Sequence, residues 1–568
     1  MQEPDAVQAS TRLSGLIEFL SDPLVSSLFR THPNELGTSS FNRPDEWGDW
    51  WDWAAEGTED DRISGLEEPW LLLLRYYDSC LSSNDSEVPT VAAVSIPQVL
   101  QRLIWNASRL AVPRNPGQTI FSSVEGQYRV HLAQPSSADP PSLSSTGTLR
   151  GMSPKKAHEV AQMSELIGSI LNLDPSIKHV VDVGAGQAYL SRVLRDRFGL
   201  HVLALDFSDV QTQGAAKRDA ANLKGKRPFN EPPQGASSAQ LTDHATDLRA
   251  QCGDTKSKAH HGSLTYVTAK INADTLRQAT RDWVGSRRLA IDSSSPGRSF
   301  DDGCSTPVLL VALHACGSLT PDILRAFTAA RKEEMSSTCW KPQAAVIVGC
   351  CYNMLRPEDF PLSRCMRSSR STLTLTPNHL QLAAQVPSQW TRSEETLRNA
   401  RLALRKIVWR ALIQDVIDTN SIASASKSAA ERSRGGRQHS EAPEERMRSE
   451  DRRHKRLGRL NDAAYVDWDT FARRVAEKIE VDEERLSRAD RKAERRIEVF
   501  HVLRCIIGPV VESVLVLDRA IWAQEELQDM SLNVELVNLF DQASGSGRNV
   551  ALVIRPRNSA DACSEVAV

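Results

Sequence analysis

Residues 180–190 read VVDVGAGQAYL, and the fold turns on how this stretch is understood. Val180, Val181 and Val183 around one acid make a short buried strand. Gly184 and Gly186 then turn the chain. From Tyr189 the sequence YLSRVLRDRFG (189–199) reads as a helix with Gly199 as its C-cap. A strand that ends in Asp-x-Gly-x-Gly and passes into a helix lets the backbone approach a ligand closely, because the two glycines have no Cβ to block it. The next strand, LHVLALDFS (200–208), carries Asp206 at its end, 24 residues beyond Asp182. A carboxylate there is placed to accept both ribose hydroxyls of a nucleoside.

Outward from this centre the pattern alternates. KKAHEVAQMSELIGSILNL (155–173) is an amphipathic helix, GAAKRDAANLKGK (214–226) another, and TYVTAKI (265–271) a third strand. PVLLVALHACG (307–317) and AAVIVGCCY (344–352) are strongly apolar strands of the kind buried on both faces. Strands separated by helices indicate a parallel α/β sheet. Residues 497–527 read as helix, kinked or restarted at Gly508-Pro509, and NVELVNLF (533–540) and NVALVIRP (549–556) form a hairpin across the loop ASGSGR. A nicotinamide site shares the glycine layout. Asp182, two residues before the first glycine, favours a methyl donor, since class I methyltransferases commonly carry an acid there. The fold expected is therefore α/β: a class I (Rossmann-like) methyltransferase sheet with a terminal antiparallel hairpin. The expected cofactor is S-adenosylmethionine, held by Asp182, Gly184, Ala185, Gly186, Gln187 and Asp206.

The 568 residues suffice for two to four domains at roughly 100–200 residues each. An α-helical, Trp-rich unit is expected over 1–135, because LSGLIEFLSDPLVSSLF (13–29) and SIPQVLQRLIWNASRLAVPR (95–114) have helical spacing, the latter ended by Pro113. DEWGDWWDW (45–53) supplies four of the twelve tryptophans; packing is the plainer role for them, and a platform for a base or a protein partner the sharper one. A Pro/Ser-rich linker follows at 136–150. The methyltransferase core runs over 151–360, with a polar disordered insertion at 224–262. Residues 361–490 form a second insertion with a disordered basic segment at 420–460, which carries 11 Lys/Arg and 6 Asp/Glu. Residues 491–557 complete the domain, and 558–568 are a tail. The net charge of -3 hides an acidic front: residues 1–100 hold 18 Asp/Glu against 5 Lys/Arg, which leaves a basic body. That argues against a nucleic-acid coat along the whole chain and allows a basic substrate face. Ten scattered cysteines imply reduced thiols in the cytoplasm or nucleus. No secretory signal and no run of about 20 apolar residues is read, so no membrane partner is expected.

The chemistry is expected at two strand ends. LHACGSL (313–319) presents His314 and Cys316, and GCCYNML (349–355) presents Cys350 and Cys351. That edge of an open α/β sheet is where ligands bind, although a buried Cys is often only a small hydrophobe. His314 is the first candidate for a base acting on a hydroxyl or amine, with His158 or Lys156 of KKAHEV second. Cys350 or Cys351 would serve as nucleophile if the target were a cytosine carbon. No metal is expected, because adjacent residues on an extended chain point to opposite faces and two neighbouring Cys rarely reach one ion.

In order, KKAHEV, VVDVGAGQAYLSRVL, LHACGSL, VGCCYNML, DRAIWAQE and GRNVALVI resemble the methyltransferase-like 25 family, some of whose relatives are named ribosomal RNA adenine dimethylase domain-containing. The Trp-rich front and the VPR ending at Arg114 resemble it too. The likeness covers most of 10–200 and 264–360 and resumes near 495–557. More distantly the chain is similar to a tRNA ribose 2′-O-methyltransferase family, with its His-x-Cys-Gly turn and Cys-Cys on the next strand. These resemblances make RNA the leading substrate, methylated at oxygen or nitrogen. The Asn/Asp-Pro-Pro-aromatic turn of adenine amino-methylases is replaced by His314-Ala315-Cys316-Gly317, which does not support the dimethylase name. A protein methyltransferase and an inactive methyltransferase-fold binding protein are the alternatives.

Overall fold

Apolar strands flanked by amphipathic helices fold here into an eight-stranded sheet. A computed structural model describes residues 4–56, 68–83, 96–123, 152–224, 262–294, 305–333, 339–368, 373–420, 457–486, 491–528 and 530–557. The linker 136–150, the bulk of the insertions 224–262 and 420–460, and the tail 558–568 lie outside the described residues. Chain contacts define two compact units, Asn115–Gly349 with Glu526–Val568 and Met1–Arg114 with Cys350–Glu525.

The first unit holds the sheet. Its strands are β1 (Thr119–Ser122), β2 (His179–Val183), β3 (His201–Asp206), β4 (Leu264–Thr268), β5 (Thr306–Cys316), β6 (Trp340–Cys350), β7 (Leu532–Asn538) and β8 (Val550–Pro556), in spatial order β1-β7-β8-β6-β5-β2-β3-β4. β2 pairs in parallel with β3 on one side and β5 on the other, and β4 extends β3 in parallel. β8 runs antiparallel to both β6 and β7. This is the expected class I order with its terminal hairpin. The chain leaves β2 toward β3 on one side and later returns to β5 on the other, so the end of β2 is a topological switch point, where ligands bind in open α/β sheets. β1 was not expected: Thr119–Ser122 had been assigned to the helical front but pairs antiparallel with β7 as the sheet edge. Its Thr-Ile-Phe-Ser sequence suits a strand, but four residues are too few for the alternation to stand out.

The core of this unit lies between the sheet and two helices, Pro154–Leu173 and Tyr189–Phe198. Val160, Met163, Ile167, Leu190 and Leu194 pack on Val180, Val202, Leu309, Val311 and Val346, all almost fully buried. Burying each such side chain contributes about 1.5–3 kcal/mol.

The other unit is helical. Its axis is Arg491–Leu527, a single 37-residue helix that runs through Pro509 rather than restarting there. Next to that proline the helix is packed closely at Gly508, where a Cβ would fall 2.2 Å from the Leu382 carbonyl oxygen. Among the described residues this helix alone is long and apolar enough to cross a membrane, and 89% of its most apolar window is buried inside the protein. Trp47 and Trp50 are fully buried, and Trp47 lies 5.2 Å from Phe500 of the long helix. The tryptophan cluster is thus a packing device. Residues 361–490, read as an insertion, supply a second aromatic cluster of Trp409, Tyr465, Trp468 and Phe471 to this same unit.

Candidate active site

The turn after β2 is held by its own backbone. Gly184 N–H and Ala185 N–H both donate to the Leu205 carbonyl at 2.9 Å, which fixes the turn to β3. Gly184 (φ +73°), Gly186 (φ +54°) and Ala188 (φ +52°) take left-handed conformations in alternation. Ala188 takes this glycine-like conformation at a steric cost of about 1–2 kcal/mol. Around Gly186 nothing lies within 4 Å of where a Cβ would stand, so the turn opens onto free space at that residue. Beside Gly184 a Cβ would meet Leu319 at 3.3 Å and the His314 carbonyl at 3.9 Å, so the end of β5 borders the same turn.

Asp206 closes the turn from β3. Its Oδ2 accepts from Gly186 N–H at 2.8 Å and its Oδ1 from Ser208 N–H at 2.9 Å. Each oxygen keeps a second lone pair, the pair of acceptors two vicinal hydroxyls require. Beyond it, Phe207 and Val210 are each 78% exposed, an apolar surface that the sequence reading did not single out. Asp182 is 2% exposed and accepts a hydrogen bond from the Ser191 hydroxyl. Burial pushes its pKa up to about 6 against the opposing pull of Ser191 and the Lys156 charge. The Gln187 side chain, expected to face a ligand, is instead engaged with Gln211 and, at 3.0 Å, with Arg218, both on the helix Asp209–Lys224; only its backbone remains with the turn.

His314 lies near the end of β5, and its Nε2 is 2.9 Å from Oε2 of Glu159. The Lys156 ammonium reaches the same oxygen at 3.3 Å. Glu159 is 2% exposed, and its Oε1 has no partner among the described residues. Burial would raise the Glu159 pKa, but the His314 hydrogen bond and the charges of His314 and Lys156 outweigh it and hold the carboxyl below its ordinary value. His158 packs edge-on against Phe540 at 6.3 Å, and burial lowers its pKa. Among the described residues no acid is hydrogen-bonded to it, which sets it apart from His314. Glu159 lies inside KKAHEV, but nothing in a helix sequence says which acid faces a strand 155 residues away. Cys316 is exposed at the end of β5. Cys350, the last residue of β6, is buried, and Cys351 after it has a left-handed backbone (φ +48°).

A glycine turn opening at a switch point, closed by an acid on the next strand, is a nucleoside-type site. Residues 155–358, which contain it, match the protein family described as "Methyltransferase domain". The chain carries a methyltransferase domain. A human protein named "Probable methyltransferase-like protein 25" is 24% identical over 483 residues, covering 69% of this chain and 72% of its own. Its mouse namesake is 22% identical over 517 residues, or 75% and 77% of the two chains. No solved structure matches. The methyltransferase domain implies a methyl donor of the S-adenosylmethionine type. The residues present fit it: free space at Gly186 leaves room for the ligand, and Asp206 retains two acceptor positions.

Proposed function

We propose that this protein transfers a methyl group from S-adenosylmethionine to an oxygen or nitrogen atom of RNA, in the cytoplasm or nucleus. The observation that carries the donor half is the open space at Gly186, bounded by the Asp206 carboxylate at the crossover of the sheet. In this reading Asp182, Gly184, Ala185 and the Gln187 backbone line the amino-acid end of the donor, Asp206 takes the ribose, and Phe207 offers an apolar face to the base. The bound donor supplies an electrophilic methyl on a sulfonium. The chain contributes alignment and exclusion of water, which together are worth roughly 7–11 kcal/mol when the reacting atoms are well oriented. His314, beside the glycine turn, takes the proton of the hydroxyl or amine.

RNA is supported by the resemblance to RNA-modifying families and by the basic body of the chain. The absence of a proline turn after β5 argues against the adenine amino group. The test is transfer of a tritiated methyl to total RNA and, separately, to total protein, alongside calorimetry of donor binding. Label in RNA with measurable donor heat is expected. Label in protein alone would make it a protein methyltransferase, and no donor heat would make it an inactive binding protein.

A further inference from the structure

We infer that Glu159 is the positioning residue of this site: it holds His314 in the tautomer that carries hydrogen on Nε2 and so leaves Nδ1 as the atom that accepts the substrate's proton. The inference rests on the proposed methyl transfer. It starts from geometry. Glu159 stands on the second turn of the helix Pro154–Leu173, and His314 lies two residues from the end of β5. The helix and strand bring their side chains to a 2.9 Å hydrogen bond, with Glu159 almost fully buried and His314 30% exposed. An ionised carboxylate only accepts hydrogen bonds. The ring nitrogen facing it must therefore carry the hydrogen, and in a neutral imidazole the other nitrogen then holds the lone pair.

Lys156 and His314 keep Glu159 ionised against its burial, and burial holds it in place. Lys156 binds the same Oε2 from one helical turn away. Burial restricts the carboxylate to its present partners. His314 itself donates to it. The arrangement repeats the logic of an acid that orients a histidine and stabilises the imidazolium formed in the reaction. As the nucleophile's electron pair bonds to the methyl carbon, the bond from that carbon to the donor's sulfonium would break and leave a neutral thioether, while the nucleophile's O–H or N–H bond breaks and its proton goes to Nδ1. The resulting imidazolium lies against Glu159, which balances its charge. His158 has Phe540 against its ring and, among the described residues, no acid hydrogen-bonded to it.

The test is nuclear magnetic resonance of the full-length protein with ¹⁵N-labelled histidine, above the ordinary histidine titration range, with His314 identified by its absence in His314→Gln. The expected result is an Nε2–H pattern for His314 in the parent chain and its loss to a mixture of tautomers in Glu159→Leu. Methyl transfer should fall at least tenfold in kcat in Glu159→Leu, while the donor Kd by calorimetry changes less than twofold. An Nδ1–H pattern in the parent, or an unchanged pattern in Glu159→Leu, would overturn the inference. The parent spectrum decides even if the variant does not fold, and it needs no donor. Failure of the methyltransferase reading is seen separately, as absence of donor heat in the parent chain.

Discussion

At the scale of single residues, the site depends on backbone conformations that side chains disfavour. Gly186 has a positive φ and open space around its missing Cβ. A valine there would strain the backbone by about 1–2 kcal/mol and occupy the space that is open around the missing Cβ. Gly186→Val is expected to abolish donor binding in calorimetry while leaving the far-ultraviolet circular dichroism of the folded chain intact; unchanged donor affinity would remove the site assignment. Asp182 makes a pH-dependent contribution whose sign is fixed by burial. Its pKa moves from an ordinary 3.8 to about 6, so the folded chain holds the proton more tightly than the unfolded chain does. The stability this gives is full below about pH 4 and is lost as pH rises through about 6, an upper bound of about 3 kcal/mol. Asp182→Asn removes the titration. Its thermal midpoint, measured relative to the parent, should rise between pH 4 and pH 7, and a flat difference would show that Asp182 does not titrate there.

At the scale of elements, the strand ends and the long helix make separate demands. Asp206 ties the end of β3 to the turn after β2. Asp206→Ala should weaken donor binding by about 1.5–3 kcal/mol, the worth of a charged acceptor, as read by calorimetry. A loss of only a few tenths would mean that the ribose lies elsewhere. The long helix depends on close approach at Gly508, where a Cβ would fall 2.2 Å from the Leu382 carbonyl oxygen. Gly508→Ala is a small change that the packing has no room for, and a loss of about 1–3 kcal/mol is expected. Chemical denaturation followed by circular dichroism would measure it. If Ala proved neutral or stabilising, the helix and the segment at Leu382 would have to pack more loosely than this.

At the scale of the whole molecule, the chain order does not follow the units. Residues 1–114 fold with 350–525. The Arg496 side chain donates to the Trp51 carbonyl and pairs with Asp52, Ser513 accepts from Val112 N–H at 2.9 Å, and Glu512 pairs with Arg114 at 2.7 Å. A chain shortened to residues 115–568 would leave the apolar faces of the helix Arg491–Leu527 uncovered, and such patches drive association. It should elute from size-exclusion chromatography as aggregate, and a monodisperse shortened chain would contradict this.

The sequence by itself determined the methyltransferase sheet, because alternating apolar strands and amphipathic helices are local patterns and VVDVGAGQAYL carries its turn chemistry in consecutive residues. It also determined the hairpin of β7 and β8 and the C-cap at Gly199, both set by neighbours in the chain. Only the tertiary structure decided that Thr119–Ser122 is a strand, since its partner Leu536 lies more than four hundred residues away and four residues show no period. Only tertiary structure decided that the helix passes unbroken through Pro509, because burial over the whole length outweighs one lost backbone hydrogen bond. In the same way, sequence could nominate both His158 and His314 as bases. It ranked His314 first but could not show that Glu159 meets the His314 ring, because a pairing across 155 positions leaves no local trace for a sequence to display.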